Sequence, residues 1–356
     1  MSDLLNKLRK NSTIKDTDIL ADSKFFNEKD TIPTTVPAIN IALSGKINGG
    51  FAPGLTIWAG PSKHFKTSFS LLMAKAYMDK YPDSVLLFYD SEFGTPQSYF
   101  DSFKIDTNRV LHTPITDIEQ LKFDIMSQLE QIGRGERVMI IIDSVGNLAS
   151  KKEVDDALKQ NSAADMTRAK QLKSLFRMVT PHLTIKDIPM VVVNHTYMTQ
   201  EMFSKPVVSG GTGIYYSADN IFILGRQQEK EGKDVVGYNF IINVEKSRFV
   251  KEKSKIPIEV SWDEGISKWS GLMDMALESG HVIKPKVGWF QRVDMETGEI
   301  LDKSYRMNDT YSFSFWHPIL QCPKFNAFIE NKYRVASGNI MQEDEVDSVY
   351  EDLEAE

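Results

Sequence analysis

The stretch AGPSKHFKTSF, residues 59–69, carries residue types that can bind a nucleotide phosphate. It matches the phosphate-binding pattern G-x-x-x-x-G-K-[ST] at Gly60, Lys66 and Thr67, but Phe65 stands where the pattern has its second glycine. Such a loop presents backbone N–H groups to the phosphates, its lysine reaches the terminal phosphates and its hydroxyl is a ligand for Mg²⁺. The sequence therefore predicts a site for ATP and Mg²⁺. The residues predicted to form the loop are Gly60, Pro61, Ser62, Lys63, His64, Phe65, Lys66 and Thr67.

Phe65 does not remove any phosphate-binding group, because those groups are backbone N–H groups and the side chains of Lys66 and Thr67. A phenylalanine is tolerable there if its φ is negative and its ring points away from the phosphates, since a positive φ is costly for a bulky residue. We therefore expect a working variant of the site. We also expect the ring of Phe65 to pack against protein, in its own protomer or in a neighbour.

Two carboxylates follow apolar runs that are typical of buried strands. The run RVMIIIDS ends in Asp143 and Ser144, where Asp143 could hold Mg²⁺ through water or only cap the strand. The run SVLLFYDSEFG places Glu92 just past a second strand, where it could polarise the attacking water or be an ordinary surface carboxylate. A glutamate on a neighbouring strand, instead of next to Asp143, is typical of strand-exchange recombinases and hexameric helicases.

Apolar runs alternate with helical patterns between about residues 54 and 262, and the first runs are apolar on both faces. This alternation predicts an α/β fold with a mostly parallel central sheet, helices on both faces and ligands beyond the carboxyl ends of the strands. From about residue 225 the strands are joined by short turns, which predicts an antiparallel extension of the sheet. Residues 271–335 have the pattern of a small α+β module.

Composition narrows the class of protein. The chain has 356 residues, a net charge of −7 and a single cysteine, Cys322, so it can form no internal disulfide, and it has no spacing typical of a structural zinc site. Its apolar runs are too short to span a bilayer, so we expect no membrane association and a cytoplasmic location. Eight carboxylates lie in the last fifteen residues, 342–356, which leaves the rest of the chain close to neutral. Such a tail is either a solvated end or an autoinhibitory segment that competes with a polyanion.

The motifs together resemble the RecA-type strand-exchange recombinases, and in particular the UvsX recombinases of T-even-like phages. The resemblance covers roughly residues 20–335 and rests on the runs AGPSKHFKT, FYDSEFG, IIDSVGNLASKKE, DMTRAK, VNHTYMTQEMFSK, GGTG and NVEKSR. It implies a RecA-like P-loop NTPase core, and a DNA-dependent ATPase that forms filaments on single-stranded DNA and catalyses homologous pairing and strand exchange. The processes implied are recombination, repair and recombination-dependent replication.

The resemblance also implies individual roles around the nucleotide. Tyr99 matches the position that stacks on adenine, and His195 matches the position that senses the γ-phosphate. Lys246 and Arg248 match the cations that reach the ATP of a neighbouring protomer. The predicted catalytic residues are therefore Glu92, Lys66, His195, Lys246 and Arg248.

Two segments resemble DNA-binding loops, at residues 151–168 and 197–213. The residues expected to contact DNA are Lys151, Lys152, Arg168, Met202, Phe203, Gly210 and Gly211. In the second loop, aromatic and methionine side chains can stack against bases and glycines let the backbone approach phosphates. An aperiodic stretch of that length inside a compact domain is usually functional or disordered.

The predicted domains are an oligomerisation arm (1–30, with Phe25 and Phe26), a RecA-like ATPase core (31–270), a small α+β C-terminal domain (271–341) and the acidic tail (342–356). Expected partners are single-stranded and homologous duplex DNA, further copies of the chain, a single-strand-binding protein and a mediator or loader. Two alternatives stay open: a ring helicase on the same core, and an ATP-gated single-strand-binding protein without turnover.

Overall fold

The structure is a computed structural model that describes residues 3–14, 17–23, 30–159, 167–231 and 234–335, without the side chains of residues 230, 231 and 234. Phe25 and Phe26 of the predicted arm, and the whole predicted acidic tail at 342–356, lie outside these described residues.

A nine-stranded sheet forms the centre of the protein, in the order β11-β10-β9-β8-β1-β5-β4-β2-β3. Its strands are β1 (Gly54–Ala59), β2 (Val85–Asp90), β3 (Val110–Pro114), β4 (Val138–Asp143), β5 (Pro189–Asn194), β8 (Asn220–Glu231), β9 (Asp234–Lys246), β10 (Lys255–Ser261) and β11 (Gly265–Ile266). The six strands from β8 to β3 are parallel, and β9, β10 and β11 extend the sheet in antiparallel fashion. The predicted α/β fold with a mostly parallel sheet is therefore confirmed.

The helices of the core lie on both faces of this sheet. α2 (Pro37–Ser44) and α3 (Lys66–Lys80) pack in one hydrophobic cluster, and α5 (Ile118–Gln131) and α7 (Thr167–Lys186) pack in the other. The remaining helices before β8 are α1 (Asp3–Asn11), α4 (Gln97–Ser102), α6 (Lys151–Leu158) and α8 (Thr212–Ser217), with 3-10 turns at Leu20–Asp22 and Thr107–Arg109. α5 begins after Asp117, whose carboxylate accepts a hydrogen bond from the backbone N–H of Gln120 at 2.8 Å.

Each central strand alternates between two hydrophobic clusters. In β4, Met139 and Ile141 join the cluster that contains α3, while Val138, Ile140 and Ile142 join the cluster that contains α5 and α7. This arrangement explains why the sequence of β4 is apolar throughout, as strands buried on both faces must be.

Both segments predicted as DNA-binding loops contain regular structure, although the sequence of the second has no periodicity. In the first segment α6 forms because Ser150 and Glu153 make a reciprocal capping box at its N-terminus. In the second, β6 (Thr196–Met198) and β7 (Pro206–Val208) pair as a short antiparallel hairpin. Residues 160–166 of the first segment lie outside the described part of the chain.

A smaller α+β module follows the core. It consists of the antiparallel strands β12 (Val282–Lys286), β13 (Trp289–Val293) and β14 (Ile300–Arg306) and of the helices α9 (Leu272–Glu278), α10 (Met307–Thr310), α11 (Phe313–Gln321) and α12 (Pro323–Tyr333). Phe315 and Trp316 are buried in it, whereas Phe313 is exposed. The module shares one hydrophobic cluster with the core, so the two units are packed against each other.

Candidate functional site

The carboxyl ends of the parallel strands bring the predicted nucleotide residues to one edge of the sheet. Asp90 at the end of β2 pairs with Asp143 at the end of β4, and Ala59 at the end of β1 pairs with Asn194 at the end of β5. Beyond these ends lies a cavity of about 380 Å³. Its lining includes Ser62, Lys63, His64, Phe65, Lys66, Thr67, Ser68, Glu92, Tyr99, Asp143, His195 and Arg226.

The phosphate loop leads from β1 into α3, and Phe65 is the residue just before the first turn of that helix. Phe65 has a left-handed backbone with φ 57° and ψ 19°, so the expectation of a negative φ was wrong. Strain of this kind costs on the order of 1–3 kcal/mol. The ring packs 4.9 Å from that of Phe240 and 6.4 Å from that of Phe69, and aromatic contacts contribute about 0.5–1.5 kcal/mol each beyond burial. The expected packing of the ring in its own protomer is confirmed, and it offsets the strain.

Lys66 and Thr67 open α3 at the base of the cavity. The Lys66 ammonium is buried and donates a hydrogen bond to the carbonyl of Pro61 at 2.8 Å. Burial lowers the pKa of Lys66, and the charges of Glu92 and Asp143 partly counter that effect. This loop carbonyl holds the ammonium at the helix N-terminus, where anions bind well.

Asp143 has the environment of a cation ligand. Its Oδ2 accepts a hydrogen bond from the Thr67 hydroxyl at 2.6 Å, while its buried Oδ1 has no hydrogen-bond partner within the described residues. Burial is the main cause that raises the pKa of Asp143 to about 6, and the negative charges of Glu92 and Asp90 add to it. A carboxylate beside a hydroxyl suits Mg²⁺, which takes few protein ligands and completes its shell with phosphates and water. No group of three or more His, Cys, Asp or Glu that could hold a metal occurs among the described residues.

Glu92 is held by three donors that all reach the same oxygen atom. Its Oε1 accepts hydrogen bonds from the Ser144 hydroxyl at 2.7 Å, from Asn147 Nδ2 at 3.2 Å and from His195 Nε2 at 3.2 Å. The bond from His195 contributes most to holding the pKa of Glu92 below its usual range, against the effect of burial. The carboxylate is therefore ionised near neutral pH, with Oε2 left to accept from another group.

His195 lies against the loop that follows β4. A Cβ atom on Gly146 would be only 2.2 Å from Cδ2 of His195, so only glycine lets that loop pack on the imidazole. Sequence reasoning missed Gly146 and Asn147, although both directly follow the run that identified Asp143.

Tyr99 and Arg226 complete the rim of the cavity. The Tyr99 hydroxyl makes a short hydrogen bond with the Ser68 hydroxyl, and its ring lies 5.9 Å from that of Phe103. Arg226, also missed from the sequence, donates to the carbonyl of Lys63 at 3.1 Å and lies over the ring of Tyr238. In the sequence, Arg226 directly follows the apolar run NIFILG, residues 220–225, and this position was the signal that could have identified it. A cation that contacts the phosphate loop adds to its positive potential.

Lys246 and Arg248 lie near the amino ends of the parallel strands, whereas this cavity lies beyond their carboxyl ends. Lys246 pairs with Ile221 near the start of β8, and its ammonium donates to the carbonyls of Tyr215 and Ala218 at 2.7 and 2.8 Å. Arg248 forms an ion pair of 2.7 Å with Asp219. The two cations therefore do not reach the nucleotide site of their own chain, and their predicted role at a neighbour's ATP stays a prediction.

The predicted DNA-binding residues differ in their surroundings. Met202 and Phe203, at the tip between β6 and β7, are 95% and 79% exposed. Gly210 and Gly211 have left-handed φ values of 101° and 76°, which favour glycine. The side chains of Lys151 and Lys152 are exposed on α6, and that of Lys152 forms an ion pair with Asp156.

Arg168 behaves differently from the other predicted DNA ligands, because its guanidinium donates three hydrogen bonds to backbone carbonyls of its own chain. Contact with DNA stays a prediction for all seven residues. No helix in the described ranges has the length and apolar character needed to cross a membrane.

The chain matches known protein families over most of its length. The family model of the RecA N-terminal domain matches residues 4–267, and that of the C-terminal domain of the bacteriophage T4 recombination and repair protein matches residues 269–329. The chain is 54% identical over 355 residues to the recombination and repair protein of Enterobacteria phage T4, covering 98% of this chain and 91% of that protein. It is 26% identical over 287 residues to protein RecA of Paenarthrobacter aurescens, covering 78% of each. Protein RecA of Bacteroides thetaiotaomicron is also 26% identical, over 275 residues.

The conformation of Phe65 gives a prediction about stability. Phe65→Ala keeps the left-handed strain and loses the ring contacts, whereas Phe65→Gly loses the same contacts but relieves the strain. We therefore expect Phe65→Ala to lower the free energy of unfolding more than Phe65→Gly does, by about 1 kcal/mol, the size of the left-handed penalty. Chemical denaturation of both variants measures the difference.

Phe123, an exposed residue inside α5, is the matched control. There the order should reverse, because glycine in a helix interior costs about 1 kcal/mol relative to alanine. The same order at both positions would contradict the assignment of strain to Phe65.

Proposed function

The chain belongs to the RecA family and is a recombination and repair protein of the UvsX type, and from this premise we propose that it is a DNA-dependent ATPase. In the proposed reaction it forms filaments on single-stranded DNA, hydrolyses ATP with Mg²⁺ and catalyses homologous pairing and strand exchange with duplex DNA.

The observation that carries the proposed hydrolysis is the fixed carboxylate of Glu92. Ser144, Asn147 and His195 orient it through Oε1, which leaves Oε2 to accept a hydrogen bond from a water molecule. Because the pKa of Glu92 is held low, the side chain serves better to orient and polarise water than to take its proton early in the reaction.

The remaining residues of the cavity have complementary tasks in this proposal. The backbone of residues 60–66 and the ammonium of Lys66 bind the phosphates, and Tyr99 stacks on the adenine. Thr67 and Asp143 would hold Mg²⁺, which when bound neutralises charge that develops on the phosphates. His195 is bonded to Glu92 at 3.2 Å and directly precedes β6 in the chain; in this proposal it senses the γ-phosphate.

Filament formation would complete the site. Lys246 and Arg248 lie on the edge opposite the nucleotide cavity, so head-to-tail stacking of protomers brings the cations of one chain to the ATP of the next. Arg248 is 70% exposed at its side chain and forms an ion pair with Asp219, a partner that it can exchange for a phosphate. Exposed Met202, Phe203, Lys151 and Lys152 supply stacking and charge for DNA binding without sequence preference.

The proposal extends to cellular context. A phage-encoded recombinase of this kind acts in the host cytoplasm, together with a single-strand-binding protein and a mediator that loads it on covered DNA. These partners follow from the family and not from any surface of this chain.

The first test separates the proposed ATPase from an ATP-gated binding protein without turnover. We expect ATP hydrolysis to be stimulated by single-stranded DNA. Glu92→Gln should lower kcat by about 10²–10⁴-fold, the usual contribution of a general base, with little change in the affinity for a non-hydrolysable ATP analogue. Lys66→Ala should weaken that affinity instead.

Glu296→Gln, a change at an exposed carboxylate of the C-terminal module, is the control and should leave hydrolysis unchanged. Absence of DNA stimulation in the unmodified protein would contradict the recombinase proposal. Full activity of Glu92→Gln would remove that residue from the reaction. Electron microscopy with DNA and the ATP analogue distinguishes a filament from the ring of a helicase.

A mixing experiment tests whether the site is shared between protomers. Glu92→Gln and Arg248→Ala should each be inactive alone. In an equal mixture, random assembly places an intact Glu92 beside an intact Arg248 at about one quarter of the interfaces, so about a quarter of the normal activity should return.

A mixture of Glu92→Gln with Lys66→Ala is the matched control. Both of those residues line the same cavity. A shared interface can still pair an intact Arg248 with either variant, but no cavity regains both Glu92 and Lys66, so activity should stay absent. Return of activity in the control, or none in the first mixture, would speak against a neighbour's contribution.

A further inference from the structure

Arg168 lies in the first turn of α7 and binds the loop that follows β4. Its Nε donates to the carbonyl of Leu148 at 2.8 Å, and its Nη2 donates to the carbonyls of Val145 and Gly146 at 3.0 and 2.9 Å. Three bonds from one planar guanidinium fix the orientation of this loop, because arginine presents its donors in a rigid fork.

The loop that Arg168 fixes is the one that positions the hydrolytic carboxylate. Asn147, between two of the bonded carbonyls, donates to Oε1 of Glu92 at 3.2 Å. Gly146 packs directly on the imidazole of His195, the other donor from this side of Glu92. A movement of residues 145–148 would therefore displace both donors and, with them, the carboxylate.

The same end of α7 also carries the second predicted DNA segment. A Cβ atom on Gly210 would lie 3.0 Å from Leu172, and one on Gly213 would lie 2.5 Å from Lys173. That segment is joined to the end of β5, because the backbone N–H of Ser209 donates to the carbonyl of His195 at 2.9 Å. The first two turns of α7 thus contact both the glycine-rich DNA segment and the loop behind Glu92.

Arg168 is the last residue of the first predicted DNA segment, 151–168, and Thr167 directly precedes it. The start of α7 is therefore the place where both segments meet the loop at residues 145–148. A shift of this helix end on DNA binding is transmitted to Asn147 and His195 through the three bonds of Arg168.

We propose that Arg168 is a positioning residue that couples DNA binding to the orientation of Glu92, and that it does not act as a ligand of a DNA phosphate. This inference rests on the proposed DNA-dependent hydrolysis. It replaces the role in DNA contact that the sequence predicted for Arg168, because an arginine that gave these bonds to a phosphate would release the loop.

The test compares Arg168→Ala and Arg168→Lys with the unmodified protein. Lysine keeps the charge but lacks the planar guanidinium, so both variants should lose the hydrogen bonds that fix the loop at residues 145–148. At saturating single-stranded DNA, we expect kcat for ATP to fall at least about tenfold in both, since small misplacements of a reacting group have effects of this size or larger. The KM for ATP and the affinity for single-stranded DNA should change by less than about twofold.

Two further measurements separate positioning from a general structural role. In the double variant Arg168→Ala with Asn147→Ala, the loss in kcat should be no larger than in Arg168→Ala alone, because both changes act on the same carboxylate. Lys170→Ala, which removes an exposed cation from the same helix, should leave kcat at saturating DNA unchanged.

Three results would overturn the inference. If Arg168→Ala reduces the slope of log affinity against log salt by about 0.7–0.9, the contribution of one phosphate contact, and saturating DNA restores normal kcat, Arg168 is a phosphate ligand. Loss of cooperative thermal unfolding in both Arg168→Ala and Arg168→Lys would show a role in the fold. Additive losses in the double variant would exclude a path through Asn147. If the unmodified protein shows no stimulation by DNA, the proposed function fails first and this inference with it.

Discussion

Burial of the central strands on both faces decides where the chemistry of this protein can lie. Because β1, β2, β4 and β5 have apolar clusters on either side, no polar side chain can act from the middle of a strand without a large desolvation cost. The functional groups are therefore confined to the strand ends. Parallel pairing in register then brings Asp143, Glu92, His195 and the phosphate loop to a single edge. The sheet therefore decides where the site lies, and the loops decide the conformation of the individual residues in it.

Two loop positions show how the loops shape the site: the backbone of Phe65 is strained, and the surroundings of Gly146 are crowded. Phe65 adopts a conformation that favours glycine and is kept there by aromatic packing against Phe240. Gly146 occupies a place where any side chain would strike His195. Phe65 is a large residue in a backbone conformation that suits glycine, whereas at Gly146 only glycine fits. Both are decided by tertiary contacts with residues distant in the sequence.

This difference explains how much the sequence could predict. The long apolar runs identified β1, β2, β4 and β5, and the carboxylates that end them could be placed at one edge from the rules of parallel sheets. β3 was missed because this edge strand includes the exposed residues Leu111 and His112, so it lacks a continuous apolar run. The φ of Phe65, the three donors on Glu92 and the carbonyl bonds of Arg168 depend on contacts that periodicity does not encode. A basic residue next to a predicted DNA loop looks like a DNA ligand until its partners are known.

The nucleotide cavity and the two predicted cations, Lys246 and Arg248, lie at opposite ends of the strands. The nucleotide cavity lies beyond the carboxyl ends of the strands, while Lys246 and Arg248 lie near the amino end of β8. A sheet cannot bend enough to bring the two ends of its strands together, so in the proposed function these cations reach a nucleotide only across a contact between chains. In the same proposal, DNA contacts the α7 end of the chain that binds the nucleotide. In the proposed function, assembly therefore supplies charge from a neighbouring chain, whereas the response to DNA is transmitted within one chain, through the loop that holds Glu92.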